Sequence, residues 1–388
     1  MSIARTPSVA LLTNAPAPYR TPLLNELARR CRLLVMFDLP REAGREWEVD
    51  ESDFDFEARF LRSVSIPRRK RYGARPFLHV PLNVVPVLER FGSDVVVAGE
   101  LGARTASAAA FCRLRKRPLV VQWEGTPHTE AGTTSLRASF RRRLLQNATR
   151  VWGNGAESAR VLTSYGVQED RIDLGMGGMD TLGWRVDVDD GRDKARASLR
   201  ERYGLRGTVV LFAGALTPRK GVRELLRAFS VLAEDGDLPP WSALFVGSGH
   251  LDHDIRAWAA DHPAVPVALS GFVPGPDLAQ HFAAADLFVT PSLEDNWGLV
   301  CLEALLAGLP QVTSSFAGAA PELVTSPDIG AVVDPTDTSS LARELEHLIR
   351  AGTPRVPEEQ RTRAMRTWSP EAFADRAMTS IHSAIQAR

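Results

Sequence analysis

Three acids crowd one helix start in "PSLEDNWGLVCLEALLAGLP" (Pro291–Pro310): Glu294, Asp295 and Glu303. Asn296, Trp297 and Gly298 turn the chain. A helix is expected from Gly298 to Ala307, stopped by Gly308 and Pro310. Leu302, Leu305, Leu306 and Leu309 share one face, the expected core face, and Glu303 lies on another, near the start. The N–H groups of Gly298, Leu299 and Val300 have no partner inside such a helix. They favour an anion by roughly 0.3–1 kcal/mol when exposed and up to about 2 kcal/mol when partly buried. Acids beside that end either answer the helix dipole or frame a ligand, and both readings stay open on composition alone.

"FAGALTPRKGVRELLRAF" (Phe212–Phe229) has the same layout. A strand ends at Gly214, a turn carries Arg219 and Lys220, and a helix begins near Gly221. Cations at a helix N-terminus oppose the macrodipole unless an anion lies between. A phosphate accepting from a charged donor contributes about 1.5–3 kcal/mol. The plain alternative is two solvated bases on a loop. "FVGSGHL" (Phe245–Leu251) begins like a dinucleotide fingerprint, but Asp252 stands where its third glycine belongs, so a nicotinamide site is weakly supported. The triplets Asp53-Phe54-Asp55 and Asp187-Val188-Asp189 have the form of metal ligands, yet read best as solvated loops. The eight histidines show no ligand spacing, so no metal site is expected.

In the first half, polar loops follow apolar runs. "TNAPAPYR" presents Asn14, Tyr19 and Arg20; "AGELGAR" presents Glu100; "QWEGTPHTE" presents Glu124 and His128. These are positions for acceptor-binding or catalytic groups, with an ordinary polar loop as the alternative. The basic clusters "RRKR" (Arg68–Arg71) and "FRRRLLQ" (Phe140–Gln146) are either solvated faces or peripheral membrane contacts.

These loops need strands to carry them. Continuous apolar runs at Val9–Thr13, Arg32–Phe37, Asp94–Gly99, Pro118–Trp123 and Arg150–Asn154 read as parallel strands covered on both faces. Helical stretches such as Thr21–Arg30 alternate with them. The pattern stops in a polar stretch and restarts at Thr208–Ala215, Ser242–Gly249, Pro266–Phe272, Asp286–Ser292 and Gln311–Ser315. The expected organisation is α/β: a Rossmann-like domain over 1–180, a linker over 181–205, a second Rossmann-like domain over 206–368, and a helix over 369–388 capped by Ser369. Two such domains facing a central cleft bind ligands at the carboxyl ends of their strands. The formal charge of zero gives no global pull toward nucleic acid. Cys31, Cys112 and Cys301 form no CxxC pair and sit among apolar neighbours, which suits buried thiols in a reducing cytoplasm. No apolar run reaches the roughly 18 residues of a membrane span, and the opening is too short in apolar run for a signal peptide, so a soluble cytoplasmic protein is expected.

Four motifs in the second half occur in a set order: "GALTPRKG", "GFVPGPDLAQHFAAADLFVTPS", "DNWGLVCLEALLAGLPQV" and "FAGAAPELV". Together they resemble glycosyltransferase family 4, retaining enzymes of the GT-B fold. The resemblance covers nearly the whole chain. The opening "LLTNAPAPYRTPLLNELA" looks like a subset with an Asn-x-Pro-x-Pro-Tyr-Arg loop. The resemblance implies a nucleoside-diphosphate sugar donor, a glycan, lipid or small-molecule acceptor, no further cofactor and no metal. It implies a first domain for the acceptor, a second for the donor, and a last helix that crosses back to the first.

By the same resemblance, Lys220, with Gly214 and Arg219 on its loop, binds the diphosphate. Gly298, Leu299 and Val300 offer amides, with Asn296 and Trp297 on their turn. Asp295 contacts the transferred sugar, Glu303 takes the ribose hydroxyls, and Phe272 and Val273 lie by the base. Lys220 and Asp295 are then catalytic, with Glu124 near the place of the family's first-domain histidine. Ala215 stands where the family has arginine, and Asp295 where it has glutamate, one methylene longer. Those departures keep other readings in view: an epimerase or hydrolase on this fold, or a nucleotide-sugar-binding scaffold with impaired catalysis.

Overall fold

The computed structural model describes residues 6–41, 46–67, 77–190 and 192–387. It divides into two compact units, Met1–Asp180 with Trp368–Arg388, and Thr181–Thr367.

Unit 1 contains β1 (Ser8–Thr13), β2 (Arg32–Phe37), β3 (Glu57–Phe60), β4 (Ser63–Pro67), β5 (Phe77–Pro81), β6 (Val95–Gly99), β7 (Leu119–Trp123), β8 (Arg150–Gly153) and β9 (Ile172–Asp173). Seven of them form one parallel sheet in the order β3-β2-β1-β6-β7-β8-β9, while β4 and β5 pair antiparallel. The central strands are apolar throughout because both faces are covered. Ala10, Leu12, Val96, Ala98 and Val121 point into one core with Leu144 and Leu162. Val9, Leu11, Val95, Val97 and Val120 point into the other with Leu23 and Leu27. Alternation of side-chain direction along each strand divides one apolar run between two cores.

The second of these cores is closed by the last helix, Pro370–Gln386. Ser369 caps it by accepting from the Ala372 amide at 3.2 Å. Its buried stripe of Phe373, Ala374, Ala377, Ile381 and Ala384 packs on the helix Thr21–Ala28 and on the sheet. The Phe373 ring meets Trp152 edge-on at 6.4 Å, and Trp152 Nε1 donates to Ser380 Oγ at 2.7 Å.

Unit 2 contains β10 (Thr208–Ala213), β11 (Trp241–Val246), β12 (Val267–Gly271), β13 (Leu287–Thr290), β14 (Gln311–Ser314) and β15 (Gly330–Val333). All are parallel, in the order β12-β11-β10-β13-β14-β15. The stretch expected as a linker over 181–205 is different. It folds into helices Thr181–Asp189 and Arg192–Tyr203, packed within unit 2. Trp184, Val188, Ala195 and Leu199 are buried, and Trp184 packs edge-on against Phe282 at 5.3 Å. Two apolar residues per helix, four apart, are a thin stripe among charges. The charges are themselves committed: Arg196 and Arg200 both bind Asp286, and Arg361 binds Asp189.

In both sheets the strand order reverses beside the first strand. β1 lies between β2 and β6, and β10 between β11 and β13. In open α/β sheets, ligands bind outside the carboxyl ends of the strands at such a reversal.

Candidate functional site

In unit 2 the loops after β10 and β13 are locked together. The Leu293 amide donates to the Arg219 carbonyl at 2.9 Å, and Arg219 Nη1 donates to the Glu294 carbonyl at 2.9 Å. At Gly221 φ is +72°, and a Cβ there would sit 1.8 Å from the Pro291 carbonyl oxygen, so the approach requires glycine. This contact brings Lys220 Nζ to 2.5 Å from Asp295 Oδ2, with both side chains largely buried. Burial pushes the Asp295 carboxyl up. The charges of Lys220 and Arg219, with hydrogen bonds from Lys220 and Ser292, outweigh it and hold the group below its ordinary value.

Gly298, at φ +90°, turns the chain into the helix Leu299–Leu306, whose start carries no side-chain cap. The turn is braced from the loop after β14: the Ala319 amide donates to the Trp297 carbonyl at 2.8 Å, and the Gly318 amide to the Asp295 carbonyl at 3.3 Å. Asn296 is exposed, Trp297 buried, and Leu299 and Val300 half-buried. Glu303, on the first turns, has a buried Oε2 with no hydrogen-bond partner among the described residues. Burial raises its pKa to about 7, against the lowering charge of Lys220. Gly214, Arg219, Lys220, Asp295 and Gly298 are therefore gathered at one end of the sheet. Phe272 and Val273 leave β12, the edge strand, two places from β10. The glycines of "FVGSGHL" serve packing: a Cβ on Gly247 would meet the Gly214 carbonyl oxygen at 2.0 Å, and one on Gly249 the Leu216 carbonyl oxygen at 2.3 Å.

In unit 1 the sequence-predicted residues pair across the ends of β1, β6 and β7. Asn14 Nδ2 donates to Glu100 Oε1 at 2.6 Å. Arg20 pairs with Glu124 through Nη2 and donates through Nη1 to Thr13 Oγ1 at 3.0 Å. Tyr19 meets Trp47 edge-on at 6.3 Å. His128 lies on the short helix Pro127–Glu130, past the end of β7. Sequence reasoning missed the pair beneath these loops. Arg104, on the helix Ala103–Arg115, binds Asp38 at 2.5 Å with both side chains almost fully buried. Burial raises Asp38 to about 6, with the Glu100 charge adding and Arg104 opposing. Only the position of Arg104 inside the quoted loop hinted at it.

Arg141 of the basic cluster is buried, paired with Glu130 and stacked 4.7 Å from the Trp123 ring centre, because its helix face is the core face. The cluster Arg68–Arg71 lies outside the described residues. Asp189 is exposed as expected, but it ends the helix Thr181–Asp189 instead of lying in a loop, and it pairs with Arg185, Arg192 and Arg361. No group of three or more His, Cys, Asp or Glu among the described residues is placed to hold a metal. The three cysteines are free and buried, and burial pushes each thiol up to about 12. No described helix is long and apolar enough to cross a membrane.

Known proteins share this organisation. Residues 14–174 match the family model "Glycosyl transferase 4-like domain", and residues 196–365 match "Glycosyl transferases group 1". The chain is 34% identical over 181 residues to the GDP-mannose-dependent alpha-(1-6)-phosphatidylinositol monomannoside mannosyltransferase of Mycolicibacterium smegmatis, covering 44% of this chain and 45% of that one. It is 32% identical over 215 residues to the D-inositol 3-phosphate glycosyltransferase of Rhodococcus opacus, covering 53% and 45%. The chain thus spans about half the length of the curated relatives it matches. Among solved structures it is similar to Anabaena HepE in complex with UDP-glucose, at TM-score 0.72 and 20% identity over 97% of this chain and 100% of that one. It is also similar to the sucrose-phosphate synthase of Thermosynechococcus elongatus, at TM-score 0.70 and 17% identity over 99% and 100%. With one family model on each sheet, the chain is built of a glycosyl transferase 4-like domain followed by a glycosyl transferases group 1 domain, and the solved structures share its GT-B fold along nearly its whole length.

Proposed function

We propose that the protein is a retaining, metal-independent glycosyltransferase, with unit 2 binding a nucleoside-diphosphate sugar and unit 1 binding the acceptor. The carrying observation is the group at the ends of β10 and β13. It combines Lys220 on Asp295, an uncapped helix start at Gly298, and the unpartnered buried Oε2 of Glu303. A cation and free amides suit a diphosphate, and a buried carboxylate oxygen suits a ribose hydroxyl. Asp295 contacts the transferred sugar, with Gly214, Arg219, Asn296, Trp297, Leu299 and Val300 shaping the same end. Phe272 and Val273 form the base side.

The acceptor hydroxyl forms its bond to the anomeric carbon on the face from which the diphosphate departs. Its proton passes to the leaving phosphate oxygen. Lys220 and the helix N-terminus stabilise the charge that develops on that group. In unit 1 we assign the acceptor to Asn14, Tyr19, Arg20, Glu100, Glu124 and His128, with Glu124 also catalytic and the Asn-x-Pro-x-Pro-Tyr-Arg loop marking a subset of the family. The acceptor is a glycan, a lipid or a small molecule. Exposed Leu136 and Phe140 on the basic helix Ser135–Gln146 support a peripheral membrane contact, and the buried free thiols support a cytoplasmic setting.

A mass-spectrometric screen of nucleotide sugars tests this, read as release of nucleoside diphosphate with and without acceptor. Acceptor-dependent release is expected. Release that no acceptor accelerates, or an isomerised donor, favours the hydrolase or epimerase reading. Binding without turnover leaves a scaffold.

A further inference from the structure

Glu100 has a backbone conformation that chain reversal does not explain. Among the described residues, three non-glycines have positive φ: Glu100 at 65°, Lys116 at 51° and Thr353 at 47°. Lys116 ends the helix Ala103–Arg115 and returns its amide to the Cys112 carbonyl. Thr353 follows the helix Thr338–Arg350 and returns its amide to the Leu348 carbonyl at 3.0 Å. Both are ordinary left-handed helix endings. Glu100 ends no helix. It lies between β6 and the helix Ala103–Arg115, where the strand order reverses.

Its strained backbone is held from several sides. The Glu100 amide donates to the Gln122 carbonyl at 3.0 Å, and Thr105 Oγ1 donates to the Glu100 carbonyl. Beneath it, buried Arg104 binds Asp38 and donates through Nη2 to the Gly99 carbonyl at 2.9 Å. Asn14 Nδ2 holds Oε1 at 2.6 Å. Yet the side chain so displayed is 64% exposed, and Arg104 approaches Oε2 only to 3.8 Å. A conformation that favours glycine, fixed by its surroundings and ending in an exposed carboxylate, marks a presented group rather than a packing element.

We propose that Glu100 is a specificity-determining residue for the acceptor, reading neighbouring hydroxyls on a neutral polyol ring together with Asn14. One hydroxyl donates to Oε2. The bond from Asn14 Nδ2 to Oε1 fixes the amide, leaving Asn14 Oδ1 to accept from the next hydroxyl. A carboxylate here repels a phosphate or carboxylate on the acceptor, so any acidic group must lie elsewhere. This inference rests on the transferase reading.

The test compares wild type, Glu100→Gly and Glu100→Gln in a donor-turnover assay. The acceptor probes are methyl glycosides and myo-inositol as neutral rings and glucose 6-phosphate as a charged one. Glu100→Gly is expected to keep or raise Tm, because glycine relieves the strain. Its KM for a neutral ring should rise by about tenfold or more, since a charge-assisted hydrogen bond is lost, with a smaller change in kcat. Nucleotide-diphosphate affinity, read by calorimetry, should not move. Glu100→Gln should fall between. A Tm lower by several degrees with an unchanged acceptor KM makes Glu100 structural and overturns the proposal. Acceleration by glucose 6-phosphate and by none of the neutral rings also overturns it. No acceleration by any ring overturns the transferase reading itself.

Discussion

Lys220 and Asp295 each carry a double duty, because the cation proposed for the diphosphate is also the counter-charge of a buried acid. Lys220→Ala should lower donor turnover by about a hundredfold or more, as loss of a single electrostatic donor does. The same change leaves Asp295 buried and unpaired, so unit 2 should also lose a few kcal/mol of stability. Urea unfolding of Lys220→Met with Asp295→Asn separates the two effects. The double variant should regain stability and stay inactive; recovered turnover would refute the assignment of Lys220. Glu303 makes a pH prediction. Its carboxyl holds its proton more tightly folded, at about 7, than at its ordinary 4.5. The folded state then binds more protons through that window, so this contribution to stability is complete below about pH 4.5 and is lost as pH rises toward 7. Glu303→Gln mimics the neutral acid. Its Tm relative to wild type should climb between those values and then level off in thermal melts. A difference that stays flat with pH would mean that Glu303 titrates normally.

At the scale of elements, the donor site depends on one close approach of two loops. Gly221 lets the loop after β10 touch Pro291 at the end of β13, and the Lys220–Asp295 pair follows from that touch. Gly221→Ala meets both a positive φ and a backbone clash, and should cost about 2 kcal/mol or more in urea unfolding of unit 2. Nucleotide affinity should fall in parallel, because the loops must part. The helices of 181–189 and 192–203 teach the complementary lesson. Their charges hid a two-residue apolar stripe, and the stripe works only because Phe282 and the acids Asp286 and Glu358 are waiting for it. Short strands escaped notice for a related reason. β3 is half exposed with alternating burial, and β9 is two residues long, so neither carries a continuous apolar run.

At the scale of the whole molecule, the chain closes on itself: its last helix completes the core of the unit that holds its first strand. Truncation after Trp368 removes Phe373, Ala377 and Ile381 from that core and uncovers Leu23, Leu27 and Trp152. In scanning calorimetry the unit 1 transition should fall or vanish, while unit 2 should keep its transition and its nucleotide affinity. Loss of both together would mean that the two units do not unfold independently. The α/β class, most central strands, the capped last helix and the helix start at Gly298 were legible in the amino-acid order. Each is a local consequence of backbone geometry, in which a strand covered on both faces must be apolar throughout and a sharp turn into a helix needs glycine. Which charges meet was not legible. Lys220 and Asp295 are 75 residues apart, Arg104 and Asp38 are 66, and Arg20 and Glu124 are 104. Such pairs form only when strand order sets particular loop ends side by side, and that order comes from packing the two cores, which no local period records.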